Sequence, residues 1–229
     1  IVGGEDFKVS LGKAIKTAFG NSIRIFNEYG PTEATVGCIV SEFNPEKHKD
    51  SSVPIGIPVN NMHAYILDEY KNLVPKGVIG ALYLSGASLA NGYLGLLELT
   101  EEKFIDNPFV NEQKMYQTGD LARINETGEY EYIGRVDEQV KLRGYRIELT
   151  DIESNLNNIN GIENSSIVLA KSHNIKSTES DAFGNDEKLV AYYTGDASLD
   201  VKNIKEQLSK KLPDYMVPSN FKYLDEMPL

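Results

Sequence analysis

Apolar and polar positions change period along the chain, and the changes mark out its elements. In LGKAIKTAF the apolar residues Leu11, Ile15, Ala18 and Phe19 recur at helical spacing. Gly20-Asn21 then supplies a stop, and SIRIF alternates as a strand does, so this stretch predicts a helix delivering into a strand. Between residues 53 and 134 the period shortens. The runs MHAYILD, GALYLSG and EYEYIG are separated by turns such as Pro75-Lys76-Gly77 and Thr127-Gly128-Glu129, with one helical stretch near 97 to 104. Short strands of this kind predict a small barrel or sandwich-like unit.

Past residue 134 the pattern changes again. QVKLRGYRIEL reads as a hairpin turning at Arg143-Gly144, and Thr150-Asp151-Ile152-Glu153 reads as a capping box for a helix ending near Ile159. SSIVLAK and EKLVAYYT read as strands joined by the polar SHNIKSTESDAFGND, a surface loop by composition. From 200 to 212, Val201, Ile204, Leu208 and Leu212 share one helical face. Helices and strands thus alternate in a compact α+β unit of roughly ninety residues. No internal repeat or low-complexity segment interrupts the chain.

Composition narrows the class without fixing it. The chain has 229 residues, 41% hydrophobic and 25% charged, enough to bury a substantial core as one large domain or two unequal ones. No apolar run approaches the roughly 20 residues that span a bilayer, and IVGGEDF lacks the regions of a secretory signal. A cytoplasmic setting is therefore expected. Cys38, the single cysteine, lies in TVGCIV and is expected to be a buried structural thiol. A formal net charge of −11 argues against nucleic acid or an anionic membrane as partner, since both select basic surfaces.

Candidate chemistry begins in NEYGPTEATVG. The Gly30-Pro31 pair predicts a rigid turn, with glycine taking positive φ and proline fixing its own. Beside it Tyr29 offers an aromatic face to a base, Thr32 a hydroxyl to a phosphate oxygen, and Glu33 a carboxylate to a magnesium ion. In MYQTGDLAR, Gly119 lets backbone approach a ligand, and Asp120 can accept ribose hydroxyl protons as acids do in dinucleotide sites. GRVDEQVKLRGYRIEL places Arg135 and Asp137 in one turn ahead of a hairpin carrying Lys141, Arg143 and Arg146. Each segment also fits a plain turn or a solvated face.

Taken in order, GGE, NEYGPTE, YQTGDL and GRVDEQVKLRGYRIE resemble the adenylation domains of nonribosomal peptide synthetases, within the adenylate-forming enzymes. GASLANGYLGLLELTEEKF and LPDYMVPSNFKYLDEMPL extend the resemblance over nearly the whole chain. Ser88, Asn91 and Leu97 depart from the family's glycine, arginine and proline, all in a loop segment. The resemblance implies an α/β and α+β fold. Residues 1–136 would be the C-terminal part of the large subdomain, with a small β-barrel, and 137–229 a small mobile subdomain hinged at Asp137. It implies that Asn27 and Tyr29 contact adenine, Thr32 binds the α-phosphate, and Glu33 holds Mg2+. Gly30 would shape that turn, Asp120 would bind ribose, and Arg135 would lie near the ribose and α-phosphate. Gly3, Gly4 and Glu5 would form the loop bordering substrate and nucleotide.

Two half-reactions are implied: ATP and an amino acid give an aminoacyl adenylate and pyrophosphate, and a peptidyl carrier protein's phosphopantetheine thiol then takes the aminoacyl group. The family's substrate pocket matches Ile1, Gly3, Glu28, Val36 and Gly37, a set similar to its asparagine-activating code, so L-asparagine is the expected substrate. The sequence lacks the family's NGK lysine, its glycine-rich phosphate loop and the aspartate that binds the amino group. It is therefore expected to be a poor catalyst by itself. An acyl-CoA or aryl-acid ligase of the same superfamily, and a fragment that only binds nucleotide or carrier protein, are the alternatives.

Overall fold

The computed structural model describes residues 1–20, 22–137, 139–142, 144–171 and 187–228. They fall into two compact units, Ile1–Asp137 and Glu138–Leu229. Among them no helix is long and apolar enough to cross a membrane.

The first unit opens with β1 (Val2–Gly3), α1 (Val9–Phe19), β2 (Phe26–Tyr29), β3 (Ile39–Glu42) and β4 (Ile57–Pro58). These strands form a four-stranded sheet in the order β1-β2-β3-β4, in which β1 runs parallel to β2 and the other pairs are antiparallel. α1 ends as its sequence dictates, on Gly20 at φ 86, where a side chain would be strained. Leu11 and Ile15 pack half-buried against Phe7, Val9, Ile25, Phe43 and Val53, while Phe19 stays exposed. SIRIF is not the strand its alternation predicts. Residues 23–25 are irregular, and the ladder begins at Phe26, where pairing with Glu42 starts. NEY itself is therefore strand.

Next come β5 (Met62–Leu67), β6 (Gly80–Gly86), α2 (Leu97–Lys103), β7 (Phe104–Asp106), β8 (Lys114–Ile124) and β9 (Tyr130–Arg135). They build a five-stranded sheet ordered β5-β6-β8-β7, with β9 also on β8, all antiparallel. The eleven-residue β8, which runs through TGD, is a strand that the sequence pattern does not predict. Reciprocal backbone bonds between Gly56 and Tyr130 (3.2 and 2.7 Å) tie the two sheets together. Between them lies an apolar cluster with Ala34, Cys38, Ile39, Leu82, Leu84 and Ala122 fully buried. Each large aliphatic side chain there contributes about 1.5–3 kcal/mol by leaving water. Cys38 is buried and free, and burial pushes its thiol up to about 12.

The second unit contains β10 (Val140–Leu142), β11 (Tyr145–Ile147), α3 (Leu149–Asn157), β12 (Ile162–Lys171), β13 (Glu187–Gly195), α4 (Val201–Ser209) and β14 (Asn220–Tyr223). β10 and β11 form the expected hairpin, with Gly144 at φ 80; Arg143 lies outside the described residues. The sheet β12-β13-β14 is antiparallel and then parallel, and SHNIKSTESDAFGND lies outside the described residues. α3 turns Leu149, Ile152 and Leu156 onto this sheet, and α4 adds Ile204 and Leu208. Asp200 caps α4 by accepting the Lys202 N–H at 3.0 Å. The capping box of α3 does not form. Its N-cap is Glu148, with no side-chain cap bond, and Glu153 instead accepts the Ile167 N–H at 2.7 Å. A tertiary bond to β12 outcompetes the local one.

Candidate functional site

The segment NEYGPTEATVG folds as a strand, a turn and a single 3₁₀ turn over Thr32–Ala34. Strand alternation buries Asn27 and Tyr29 and leaves Glu28 half-buried. Asn27 Nδ2 donates to the carbonyls of Val53 (3.2 Å) and Pro54 (2.9 Å), fixing the chain ahead of β4. Thr32 is exposed and Glu33 buried.

The reason for Gly30 differs from the one the sequence suggests. Its φ is not in the left-handed region; Thr35 (φ 58) and Val36 (φ 65) are the left-handed residues. What Gly30 supplies is space, since a Cβ there would lie 1.9 Å from the Val36 carbonyl oxygen. Thr35 Oγ1 donates to Ser88 O at 2.7 Å, helping to hold the left-handed pair in place.

A polar array crosses from β2 to β8 and β9. The Tyr29 hydroxyl donates to Asp120 Oδ2, and Arg135 Nη1 donates to Asp120 Oδ1 at 2.8 Å. Antiparallel pairing sets Asp120 directly opposite Arg135. The same guanidinium reaches Asp137 through Nε and Nη2, each at 2.6 Å, and Thr118 O at 3.3 Å. The Arg135 and Asp120 side chains are only 10% and 7% exposed. Burial alone would lower the Arg135 pKa, but the Asp137 hydrogen bonds and both carboxylates outweigh it and hold the guanidinium charged. Burial and then the Asp120 charge push the Tyr29 phenol well above its ordinary value, so it stays a hydrogen-bond donor. Gly119, at φ 76, is required by crowding as well as by φ: a Cβ there would lie 2.6 Å from Arg135 Nη2 and 2.9 Å from Asp137 Oδ2. The sequence reading assigned that closeness to a ligand; in the structure the ion pair occupies it.

Glu33 accepts a hydrogen bond at Oε1 from the Tyr93 hydroxyl (2.7 Å), which lies 3.4 Å from that of Tyr116. Sequence reasoning missed both tyrosines. It also missed Tyr132, whose phenol burial and the Asp120 charge push up to about 12, marking it as a neighbour of the array.

Of the expected substrate-side residues, Gly3 and Gly37 lie against Glu28. Gly3 pairs with Glu28 across β1 and β2, and a Cβ on Gly3 would lie 2.6 Å from the Glu28 carbonyl oxygen. A Cβ on Gly37 would lie 1.9 Å from Glu28 Oε1. Gly37 therefore makes room for the glutamate itself. Among the described residues, none hydrogen-bonds or ion-pairs with the Glu28 carboxylate. Ile1 and Val36 stand at the surface, 87% and 61% exposed, and Gly4 (φ 86) and Glu5 form an exposed bend after β1.

Comparison with known proteins places this geometry. The family described as AMP-binding enzyme matches residues 1–94. Bacitracin synthase 3 of Bacillus licheniformis is 46% identical over 229 residues, which are 100% of this chain and 3% of that protein. The solved structure of PA1221, an NRPS protein containing adenylation and PCP domains, has a TM-score of 0.81 at 26% identity, covering 99% of this chain and 43% of that one. The Vibrio cholerae adenylation domain AlmE, in complex with glycyl-adenosine-5'-phosphate, has a TM-score of 0.83 at 25% identity, covering 99% of this chain and 41% of that one. The chain thus spans a small share of the curated relative and less than half of these solved chains. Matched throughout its length by synthetases and their adenylation domains, the chain belongs to the AMP-binding enzymes, as a portion of an adenylation domain of the nonribosomal peptide synthetase kind.

Proposed function

We propose that this chain supplies the nucleotide cradle and the side-chain-reading wall of an enzyme that adenylates L-asparagine with ATP and passes it to a carrier protein. The observation that carries the reading is the array Tyr29–Asp120–Arg135–Asp137, buried at all but Asp137, with Tyr29 leading through the Gly30-Pro31 turn to exposed Thr32 and buried Glu33. In this reading Asp120 accepts the ribose hydroxyls, with Tyr29 and Arg135 holding its orientation. Asn27 and Tyr29 form the adenine side, and Gly4 and Glu5 border the nucleotide. The Thr32 hydroxyl donates to an α-phosphate oxygen, and Arg135 offsets the charge that grows there. The amino-acid carboxylate attacks the α-phosphorus, the bond to the bridging oxygen breaks, and pyrophosphate leaves with the electron pair. Catalysis of this kind is mostly positioning and charge neutralisation.

Magnesium fits the donor set. Among the described residues no group of three His, Cys, Asp or Glu side chains forms a dedicated cage, and Mg2+ is commonly held by one or two carboxylates together with substrate phosphates. Glu33 is the residue that would hold it. When bound, the ion neutralises phosphate charge.

Substrate choice follows from Glu28. A half-buried carboxylate with no protein donor among the described residues, in a space kept open by Gly37, suits the NH₂ of an asparagine side chain. The second half-reaction uses a partner's phosphopantetheine: its thiol attacks the adenylate's acyl carbon and AMP leaves. Asp137 is the proposed hinge between 1–136 and 137–229. The chain alone is expected to support little exchange. The test is Glu28→Gln in the complete adenylation domain, which should lose asparagine-dependent pyrophosphate exchange while keeping its KM for ATP. Unchanged use of asparagine would overturn the substrate assignment, and unchanged exchange in Asp120→Ala would overturn the nucleotide assignment.

A further inference from the structure

GASLANGYLGLLELTEEKF is a family-like segment to which the site described so far gives no role, and its tyrosine contacts the carboxylate proposed to hold magnesium. We infer that Tyr93 is a positioning residue for Glu33: its hydroxyl fixes the carboxylate in the orientation that receives the cation. The inference rests on the reading of Glu33 as the metal-side ligand.

Three contacts pin the Glu33 turn to the segment that follows β6. The Ala90 N–H donates to Glu33 O at 2.8 Å, Thr35 Oγ1 donates to Ser88 O at 2.7 Å, and the Tyr93 hydroxyl donates to Glu33 Oε1 at 2.7 Å. Only the third acts on the carboxylate. Tyr93 is itself clamped. Its N–H donates to Thr100 Oγ1 at 2.9 Å, and that hydroxyl in turn donates at 2.8 Å to the carbonyl of Leu96, the N-cap of α2. Gly92, at φ 138, permits the approach, since a Cβ there would lie 2.3 Å from Thr100 Cγ2. The Tyr93 ring packs edge-on against Phe104 (centroids 5.6 Å apart), and Phe104 packs against Tyr116 (5.0 Å).

The chemistry follows from this geometry. Glu33 is 8% exposed, so water does little to orient its carboxylate. A neutral donor at one oxygen sets the plane of the group without cancelling its charge, as outer-shell donors do for metal-binding carboxylates. A second acid at position 93 would repel, and a cation would compete with the metal. Phenylalanine would keep the ring packing and lose only the donor. The α2 segment, none of whose residues is buried, then has a purpose its own packing does not supply: it anchors Thr100 and so Tyr93.

The test uses the complete adenylating enzyme containing this chain, saturated with a non-hydrolysable ATP analogue. Mn2+ is titrated as the probe and its binding to the ternary complex followed by water-proton relaxation. Tyr93→Phe is expected to weaken Mn2+ binding by about 10- to 100-fold, with the KM for asparagine changed less than twofold. Mn2+ affinity unchanged in Tyr93→Phe but lost in Glu33→Gln would overturn this inference and leave the metal-side reading standing. Affinity unchanged in both would overturn that reading. Should Tyr93→Phe fold poorly, Thr100→Val keeps the phenol but frees its backbone; a shift in the same direction supports the inference, and its absence opposes it.

Discussion

Replacing Gly37 with alanine separates the substrate-reading role of Glu28 from the stability of the fold. A Cβ at Gly37 would lie 1.9 Å from Glu28 Oε1, 2.4 Å from Cδ and 2.9 Å from Cγ. Gly37 does not occupy the left-handed region, so alanine suits the backbone and the whole perturbation falls on the glutamate. Because the struck atoms end a flexible side chain, the carboxylate should swing away by on the order of 1.5 Å to reach van der Waals separation. Fold stability should then change by no more than about 1 kcal/mol. A hydrogen bond displaced that far is no longer one. Bonds to charged groups contribute about 1.5–3 kcal/mol, and every 1.4 kcal/mol is about tenfold. Asparagine kcat/KM should therefore fall about 10- to 100-fold in Gly37→Ala, with the KM for ATP unchanged. Pyrophosphate exchange on the complete domain, with urea unfolding alongside, measures both. A Gly37→Ala enzyme that activates asparagine as well as the parent does would refute the reasoning, since Glu28 cannot stay where it is.

Three further outcomes test other parts of the structure. In Gly30→Ala the clash is with backbone, 1.9 Å from Val36 O and 2.7 Å from its carbon, so the turn must open at a cost of about 3 kcal/mol or more; a urea midpoint close to the parent's would contradict this. Arg135→Met leaves the Asp120 side chain, only 7% exposed, without its cation and should destabilise the fold by about 3–5 kcal/mol, whereas Asp137→Asn, at a side chain 49% exposed, should cost under about 1 kcal/mol; equal losses would place the array wrongly. His48 is 5% exposed, and burial lowers its pKa from 6.5, so the folded form stays neutral where the unfolded chain takes up a proton. Its contribution is thus fully present above pH 6.5 and is lost as pH falls below that value toward the folded pKa; His48→Gln should flatten that slope in urea titrations, and an unchanged slope would oppose the assignment.

Local patterns in the sequence predicted the elements whose stability is local. The α1 stop at Gly20, the buried Ile204 and Leu208 of α4 and the β10–β11 hairpin follow from residues within one or two turns of each other, whereas Val201, expected on the same α4 face, is exposed and Leu212 lies past the helix. Where a distant partner competes, the local pattern misled: Glu153 turns to Ile167 in place of a cap, and the strand begins at Phe26 because Glu42 is its partner. The site divides the same way. Arg135 and Asp137 were expected in one turn and are directly paired. By contrast, Glu33 meets Tyr93 across 60 positions, and Tyr29 meets Asp120 across 91. Motif order brought Tyr29 and Asp120 onto one list of candidates, but nothing near Glu33 in the chain points to Tyr93. Gly30 and Gly119 show a related limit. Sequence flags a glycine, whereas only the folded structure shows whether φ, space or both require it.

The most direct measurement is ATP–pyrophosphate exchange across the twenty amino acids by the complete adenylation domain that contains this chain. Dominant exchange with L-asparagine, abolished in Asp120→Ala and Glu28→Gln, is the expected result. Exchange dominated by another amino acid would remove Glu28 as the reader of the amide, and no exchange with any amino acid would contradict the proposed activity itself.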